Sequence, residues 1–432
     1  MRIICFFVVL IILSGCTQKP KQDSIFEHNI LIAENIGKYS EMVLSSIVSK
    51  LEYIPLETKK ISLMGGEYFD MIIVNNDLMF IGGFDFLYVF SRDGEFVNQI
   101  GSKGNGPGEY NEYVGPFSIN ELERTVFVHH YKEIWEYTWE GKYLRKISVP
   151  EIDEIPDSYI RDHRFVEDNI FVGNVSNRGN AKYKLCLFDD NGNIIKLFPN
   201  TIFFPPNEDK PSSGSLYHYA NFHQYNNQWY LKEHINDTLS YLCGTELVPF
   251  ALFNLGKYRL IDNITKNGIP ETEKVIFLPS NNFVNSSGFI FFEMSGNNID
   301  LPKNRREREF VFPNSATIRT IIDNRPTHYK ESTIAGVYDM KNKKTTLLEN
   351  DPCGIYGFIN DLDGGLPFWP RLCTDDNKLI SIIMAEDLKG ILTEEYFAAH
   401  EIKDMQAHQK LRDLLKNLKE DDNPVVVIAT LK

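Results

Sequence analysis

The chain has 432 residues, with 45 Lys and Arg against 59 Asp and Glu, giving a formal net charge of −14 at pH 7. Such an acidic chain is a poor nucleic-acid partner, because phosphate binding needs clustered Lys and Arg. The one basic cluster, Lys303-Asn304-Arg305-Arg306-Glu307-Arg308, is interrupted by a glutamate and reads as a solvated loop.

At the N-terminus, Arg2 gives a short positive start and Ile3 to Leu13 form an uncharged apolar run. The run is too short to span a bilayer and has the length of a signal-peptide core. It ends in Leu13-Ser14-Gly15-Cys16, which resembles a bacterial lipobox. That resemblance implies a signal peptide over residues 1–15 and a lipid on Cys16. An ordinary secretory signal with an incidental cysteine is the alternative, and the small residues at 14 and 15 speak against it. Losing residues 1–15 removes one charge, Arg2, and takes the net charge from −14 to −15. No later stretch approaches 18 apolar residues. The expected mature protein is therefore held at the cell envelope by its lipid alone, on the periplasmic face or the outer surface. Residues 17–24 read as a polar tether, 16–44 as tether plus N-terminal segment, and 45–432 as the folded body.

Of six cysteines, Cys5 leaves with the signal and Cys16 is lipidated. Cys186 and Cys243 lie in apolar runs and read as buried thiols. Cys353 and Cys373 flank a hairpin-like segment where an oxidising compartment would permit pairing. No CxxC or Cys/His spacing points to zinc.

Five segments share one form, an apolar or aromatic strand followed by a polar turn. The aromatic before each turn is Phe90, Tyr137, Phe188, Tyr241 and Tyr338, at intervals of 47, 51, 53 and 97 residues. Turn sequences such as Asp93-Gly94 and Asn191-Gly192 suit hairpins, because glycine accepts positive φ. A β-rich period near fifty, with the last interval doubled, predicts an all-β chain of four-stranded propeller blades. Two packed β-sandwiches also fit turn signals of this spacing, and the regular period favours the propeller. The doubled interval places a distorted or inserted blade over residues 250–330, with a strand at Phe289–Met294. A sixth unit runs from Tyr356 to Ile383, with Asp363-Gly364-Gly365 as its turn. Leu51 to Glu57 is strand-like, and an N-terminal strand completing the last blade would leave the ring without an open joint. Near the end, Thr393 suits a helix cap and Glu394 and Glu395 its first turn. Apolar residues from Phe397 to Leu418 then predict one α-helix over 393–420, before a final strand at 424–430.

Gly101, Gly104, Gly106 and Gly108-Glu109-Tyr110, followed by Pro116-Phe117, resemble the NHL-type repeat. There a glycine-rich loop links the outer strand of one blade to the inner strand of the next. With the lipobox, residues 51–57 and Asn423-Pro424-Val425-Val426-Val427, the chain resembles the six-bladed β-propeller lipoproteins of Bacteroidetes. The resemblance covers most of residues 45–432 and matches poorly over 260–330. It implies an architecture and carries no established activity.

The loop 101–110 fails the phosphate tests. A P-loop needs lysine and a hydroxyl after its last glycine, and a dinucleotide loop must open a helix; here Lys103 precedes Gly104 and the next segment is β. Asp189-Asp190-Asn191-Gly192-Asn193 starts like a calcium loop, yet Asn200 stands where the closing glutamate belongs, so a hairpin turn is expected. There is no GxSxG nucleophile motif. His129-His130 would alternate across a strand, so at most one imidazole points into a central pocket. His218, His223 and His234 read as core or solvated residues. Lactonase-like six-bladed propellers hold calcium in the axial channel, and Asn120, Asn174 and Asn236 are candidates for such a site. Aromatic residues mostly read as blade packing, while Tyr110, Tyr113 and Trp369 near loops are candidates for stacking on sugars or peptide side chains. The expectation is a non-catalytic envelope protein that presents one propeller face to a peptide, glycan or partner protein. Its candidate ligand-face residues are Lys103, Glu109, Tyr110, Tyr113, His129, His130 and Trp369, and no metal or other cofactor is assigned. The alternative is a calcium-dependent hydrolase or lactonase acting in the axial channel.

Overall fold

A computed structural model describes residues 26–64, 69–83, 86–104, 106, 108–110, 116–130, 132–152, 160–177, 179–204, 220–265, 272–278, 283–299, 307–311, 318–322, 325–326, 333–349 and 355–432. Cys16, Tyr113 and Cys353 lie outside the described residues. Six antiparallel sheets follow one another around a ring, forming a six-bladed β-propeller. The first blade is Phe69–Val74, Leu78–Gly83, Leu87–Ser91 and Phe96–Gln99; the second is Phe117–Asn120, Thr125–His130, Glu133–Thr138 and Tyr143–Ser148. The third is Ile160–Glu167, Ile170–Val175, Tyr183–Asp189 and Ile194–Pro199; the fourth is Ala220–Tyr225, Gln228–Glu233, Thr238–Cys243 and Glu246–Asn254. In the fifth, Val275–Phe277 and Phe283–Asn285 share the first position beside Phe289–Asn297, followed by Thr333–Asp339 and Lys344–Leu348. The sixth is Leu372–Cys373, Lys378–Ile383, Val425–Leu431 and, from the other end of the chain, Val48–Pro55.

The apolar runs of the third strands have a direct physical cause. Side chains alternate across a strand, and each blade is sandwiched between two others. In the first blade Tyr88 and Phe90 pack toward the sixth blade, while Leu87 and Val89 pack toward the second. Each of the six blade-to-blade joints has its own apolar cluster of this kind. Positions 90, 137, 188, 241 and 338 all fall on third strands.

The ring closes through the expected N-terminal strand, with Leu51 opposite Ala429 and Tyr53 opposite Val427. Upstream of it, His28–Leu31 adds parallel to the outer strand of the fourth blade and Tyr39–Ser40 to that of the fifth. The N-terminal segment thus straps three blades together. Main-chain pairing is joined by side chains: Ile30 and Ile32 are fully buried in the core between the fourth and fifth blades, and the His28 ring lies edge-on to Phe250 and Tyr338.

The doubled interval contains an insertion in the fifth blade, where Glu307–Val311, Ile318–Ile322 and Arg325–Pro326 form a small sheet between its second and third strands. The basic cluster beginning at Lys303 therefore runs into a strand. The Asp363-Gly364-Gly365 turn lies in the connection before the sixth blade; residues 374–377 make that blade's first hairpin. The single helix expected over 393–420 is instead Glu394–Ala398 and Met405–Asn417, preceded by Ala385–Ile391. Thr393 caps its helix through Tyr396 N (3.2 Å), as its position suggests. The break follows from Asp404, whose carboxylate accepts from Gln406 N and Ala407 N and starts a new helix. Cys186 is buried, but Cys243 is exposed at the end of its strand beside the Gly244 turn.

The turns between third and fourth strands do more than reverse the chain. Gly94 (φ 88°) and Gly141 (φ 86°) each lie against a main-chain carbonyl of the preceding blade's outer strand, Pro55 and Gln99 respectively. A Cβ at either position meets that carbonyl, whereas a Cβ at Gly244 (φ 55°) meets nothing within 4 Å. Gly94→Ala and Gly141→Ala are expected to cost about 2 kcal/mol or more, and Gly244→Ala about 1 kcal/mol, the left-handed penalty alone. Urea denaturation midpoints of the three variants check this ordering.

Candidate functional site

Because every blade runs up and down, its connections alternate between the two ends of the ring. At one end all turns within blades are two to four residues, such as 92–95, 121–124, 226–227 and 374–377. At the other end lie the blade-to-blade connections 56–68, 100–116, 149–159, 200–219, 255–274 and 349–371, the insertion after residue 297 and the helical segment 384–424. Ile61, Leu63, Phe203 and Met405 stand 50–64% exposed on this connecting face. Function gathers where variable connections sit on a rigid scaffold, so the sequence's candidate residues are best judged by their position relative to this face.

The glycine-rich loop joins the first and second blades, as its sequence predicts. Ser102–Lys103 pairs parallel with Glu109–Tyr110, closing the loop on itself. Glu109 Oε2 accepts from Gly106 N at 2.8 Å, and a Cβ on Gly104 would collide with the same oxygen. The position an anion would take in this cradle is filled by the loop's own carboxylate. Lys103 is exposed. Tyr110, expected to stand free, is 2% exposed: it packs on Gly101 and its hydroxyl accepts from Gln99 Nε2 at 3.1 Å. Trp369 is half-buried, stacked on Phe358 with centroids 6.2 Å apart and edge-on to Phe291 and Tyr356. Both aromatics serve blade packing.

His129 and His130 end the second strand of the second blade, and the His130 side chain lies outside the described residues. His129 meets a partner on the axial strand of the third blade: its Nδ1 lies 2.5 Å from Nδ1 of His163. A bulge interrupts pairing between Arg161 and Arg164, and Asp162 within it takes φ 47°. Such bulges re-aim side chains, and this one accompanies the turn of His163 toward the neighbouring blade. His163 is 3% exposed, edge-on to Phe188, and its Nε2 is buried without a partner. Burial, reinforced by His129 and Arg164, holds its imidazole well below the usual histidine range.

A second polar cluster closes the second-to-third connection of the fourth blade. Lys232 is 2% exposed, and its Nζ donates to the carbonyls of Glu233 (2.6 Å) and Asn236 (2.7 Å). The Glu233 carboxylate accepts from Lys184 (2.8 Å) and Asn236 Nδ2 (2.8 Å), and Asp237 accepts from Arg259 Nε (2.6 Å). Burial pushes Lys232 down to about 8 against the pull of Asp237 and Glu233, and it pushes Asp237 up despite Arg259.

The amides proposed for calcium do not form one set, because Asn120 caps a turn at the opposite end through Leu122 N and Glu123 N. Asn236 donates to Glu233 in the fourth blade, and Asn174 is buried near the end of a strand of the third. Asp189 holds its hairpin turn by accepting from Asn191 N (3.0 Å) and Asn193 N (2.8 Å), in place of a calcium loop. Among the described residues no group of three or more His, Cys, Asp or Glu is placed to hold a metal ion.

A family model described as a domain of unknown function (DUF4934) matches residues 27–430. The chain belongs to the DUF4934 family. Among solved structures it is similar to a Bacteroides fragilis protein assigned as exported, with a TM-score of 0.62 at 16% identity, covering 94% of this chain and 99% of that one. It is also similar to a member of the DUF4221 family from Bacteroides vulgatus, with a TM-score of 0.43 at 10% identity over 89% of this chain and 97% of that one. No curated protein matches. Among the described residues no helix is long and apolar enough to cross a membrane.

In this DUF4934 member, His163 and Lys232 are the two residues that sequence reasoning passes over. Charged neighbours surround both, Asp162 and Arg164 about His163 and Glu233 after Lys232, so no break in an apolar run marks either one.

Proposed function

We propose that this chain is an exported, lipid-anchored envelope protein whose connecting face binds a peptide, glycan or partner protein without catalysis. The carrying observation is the asymmetry of the ring, with its long connections and exposed Ile61, Leu63, Phe203 and Met405 at one end and tight turns at the other. Glu109, Lys232, Glu233 and Asp237 support a binding role over a catalytic one, since each is held by groups of the chain itself. The lipobox-like Leu13-Ser14-Gly15-Cys16 supports the anchor.

Two experiments separate the parts of this reading. Metabolic labelling with an alkyne fatty acid is expected to tag the wild type and not Cys16→Ser; equal labelling, or none in the wild type, rejects the anchor. For the face, Phe203→Ser with Met405→Ser is expected to abolish co-purification of envelope components that Leu122→Ser, at the opposite end, retains. The reverse pattern rejects it. Millimolar calcium is expected to leave the unfolding midpoint unchanged, and a calcium-dependent rise would favour a metal-bound channel.

A further inference from the structure

We infer that the lysine-rich turn of the fifth blade, Lys341-Asn342-Lys343-Lys344, docks on anionic lipid headgroups and sets how the propeller stands on its membrane. All four residues are exposed, where the third strand of that blade turns into the fourth. Lys343 takes φ 51°, and Asp339, the turn's own carboxylate, accepts from Asn342 N (2.9 Å) and Asn342 Nδ2 (2.7 Å). The asparagine thus holds the turn, and the three ammonium groups are left to solvent. Cations on the outer strands of the second and third blades instead meet carboxylates: Arg145 meets Glu136 and Asp190, Lys146 meets Glu133, and Lys196 meets Glu246.

This turn lies beside the place where the N-terminal chain joins the folded body. The His28 ring is edge-on to Tyr338 at 5.6 Å, and Leu31 N donates to Thr345 Oγ1 at 3.0 Å. Tyr338 and Thr345 are paired one step inside the turn, next to the pair Asp339 and Lys344. Phe26, the first described residue, stands two residues before His28, and Cys16 stands ten residues before Phe26. Ten residues reach at most about 35 Å, so a lipid on Cys16 keeps this part of the rim close to the bilayer. Residues 17–25 add Lys19 and Lys21 against Asp23 alone.

Charge decides which part of the body approaches. The chain as a whole is acidic and is repelled by an anionic surface. A lysine within a Debye length of such a surface is worth a roughly fivefold gain in binding, so three together turn this sector of the rim toward the lipid. The turn lies at the end of the ring opposite the connecting face, and docking through it points that face away from the bilayer. The docking rests on the lipid anchor proposed above.

The test is amine modification of the full lipidated protein in phosphatidylcholine vesicles with and without phosphatidylglycerol, read lysine by lysine by mass spectrometry. Lys142, exposed in the matching turn of the second blade on the far side of the ring, is the control. Modification of Lys341, Lys343 and Lys344 is expected to slow roughly tenfold in the anionic vesicles and to recover in about 0.5 M salt, while Lys142 is unchanged. Lys341→Gln with Lys344→Gln leaves Lys343 as the reporter and is expected to remove most of its protection. Alkyne tagging at Cys16 is read on the same sample, and an untagged protein rejects the anchor and the docking together. A tagged protein whose three lysines react equally in both vesicles, or whose Lys142 is protected as strongly, or whose Lys343 stays protected in the double variant, rejects the docking alone.

Discussion

Asn423→Ala is expected to lower stability by about 3 kcal/mol or more, measured by equilibrium urea denaturation. Asn423 is fully buried, and its side chain makes three hydrogen bonds to main-chain groups far away in sequence. Its Oδ1 accepts from Met64 N at 2.8 Å, and its Nδ2 donates to the carbonyls of Glu57 and Ser62, each at 2.8 Å. Alanine leaves the Met64 N–H and the Ser62 carbonyl without this partner, at roughly 1–3 kcal/mol each, while the Glu57 carbonyl keeps the Ser62 hydroxyl at 3.1 Å. Asp421→Ala, two residues earlier and exposed, is expected to change stability by less than about 0.5 kcal/mol. The amide pins the connection that carries Ile61 and Leu63 to the connecting face, so the loss should reach function as well as stability.

The second large effect is electrostatic. Lys232 is held at about 8 by burial, against an ordinary lysine value of about 10.4. Between these values the unfolded chain binds the proton that the folded chain has released, so stability rises with pH across the window. The wild type is expected to gain about 3 kcal/mol on Lys232→Met between roughly pH 8 and 10.5, a difference in which the other titrating groups cancel. The sign at neutral pH is set by a further contest, because methionine removes a buried charge and also strands the carbonyls of Glu233 and Asn236. A parallel pair of stability–pH curves would show that the buried ammonium does not control this loop.

What the sequence disclosed was what local patterning can encode. The third strands are buried on both faces, so runs such as Leu87-Tyr88-Val89-Phe90 and Leu185-Cys186-Leu187-Phe188 stand out, each followed by a turn needing positive φ. Blade number and the closing strand followed from that period. The strap at His28–Leu31 was hidden because the strand is only four residues long and buries just His28 and Ile30. The helix break was hidden because apolar spacing continues across it, while Asp404 restarts the helix and Lys403 turns aside to Asp361, 2.6 Å away. Asp363-Gly364-Gly365 was a true turn signal assigned to the wrong element. There Gly365 leaves room for the Tyr53 hydroxyl, which donates to Asp363 (3.2 Å), and Asn360 Nδ2 donates to the same carboxylate oxygen (2.7 Å). The candidate site was less legible still. The glycine-rich loop lies on the connecting face, but its cradle is filled by Glu109. His129 was visible, whereas its partner His163 comes from another blade by way of a bulge that no local motif announces.

The most direct test of the binding role is site-specific photo-crosslinking in intact cells. A photoreactive residue replaces Lys103 or Phe203 on the connecting face, or Asp77 or Leu122 in the turns of the opposite end. The binding role predicts discrete crosslinked adducts from the first two positions and none from the others. Adducts confined to Asp77 and Leu122, or equal at all four positions, would contradict it.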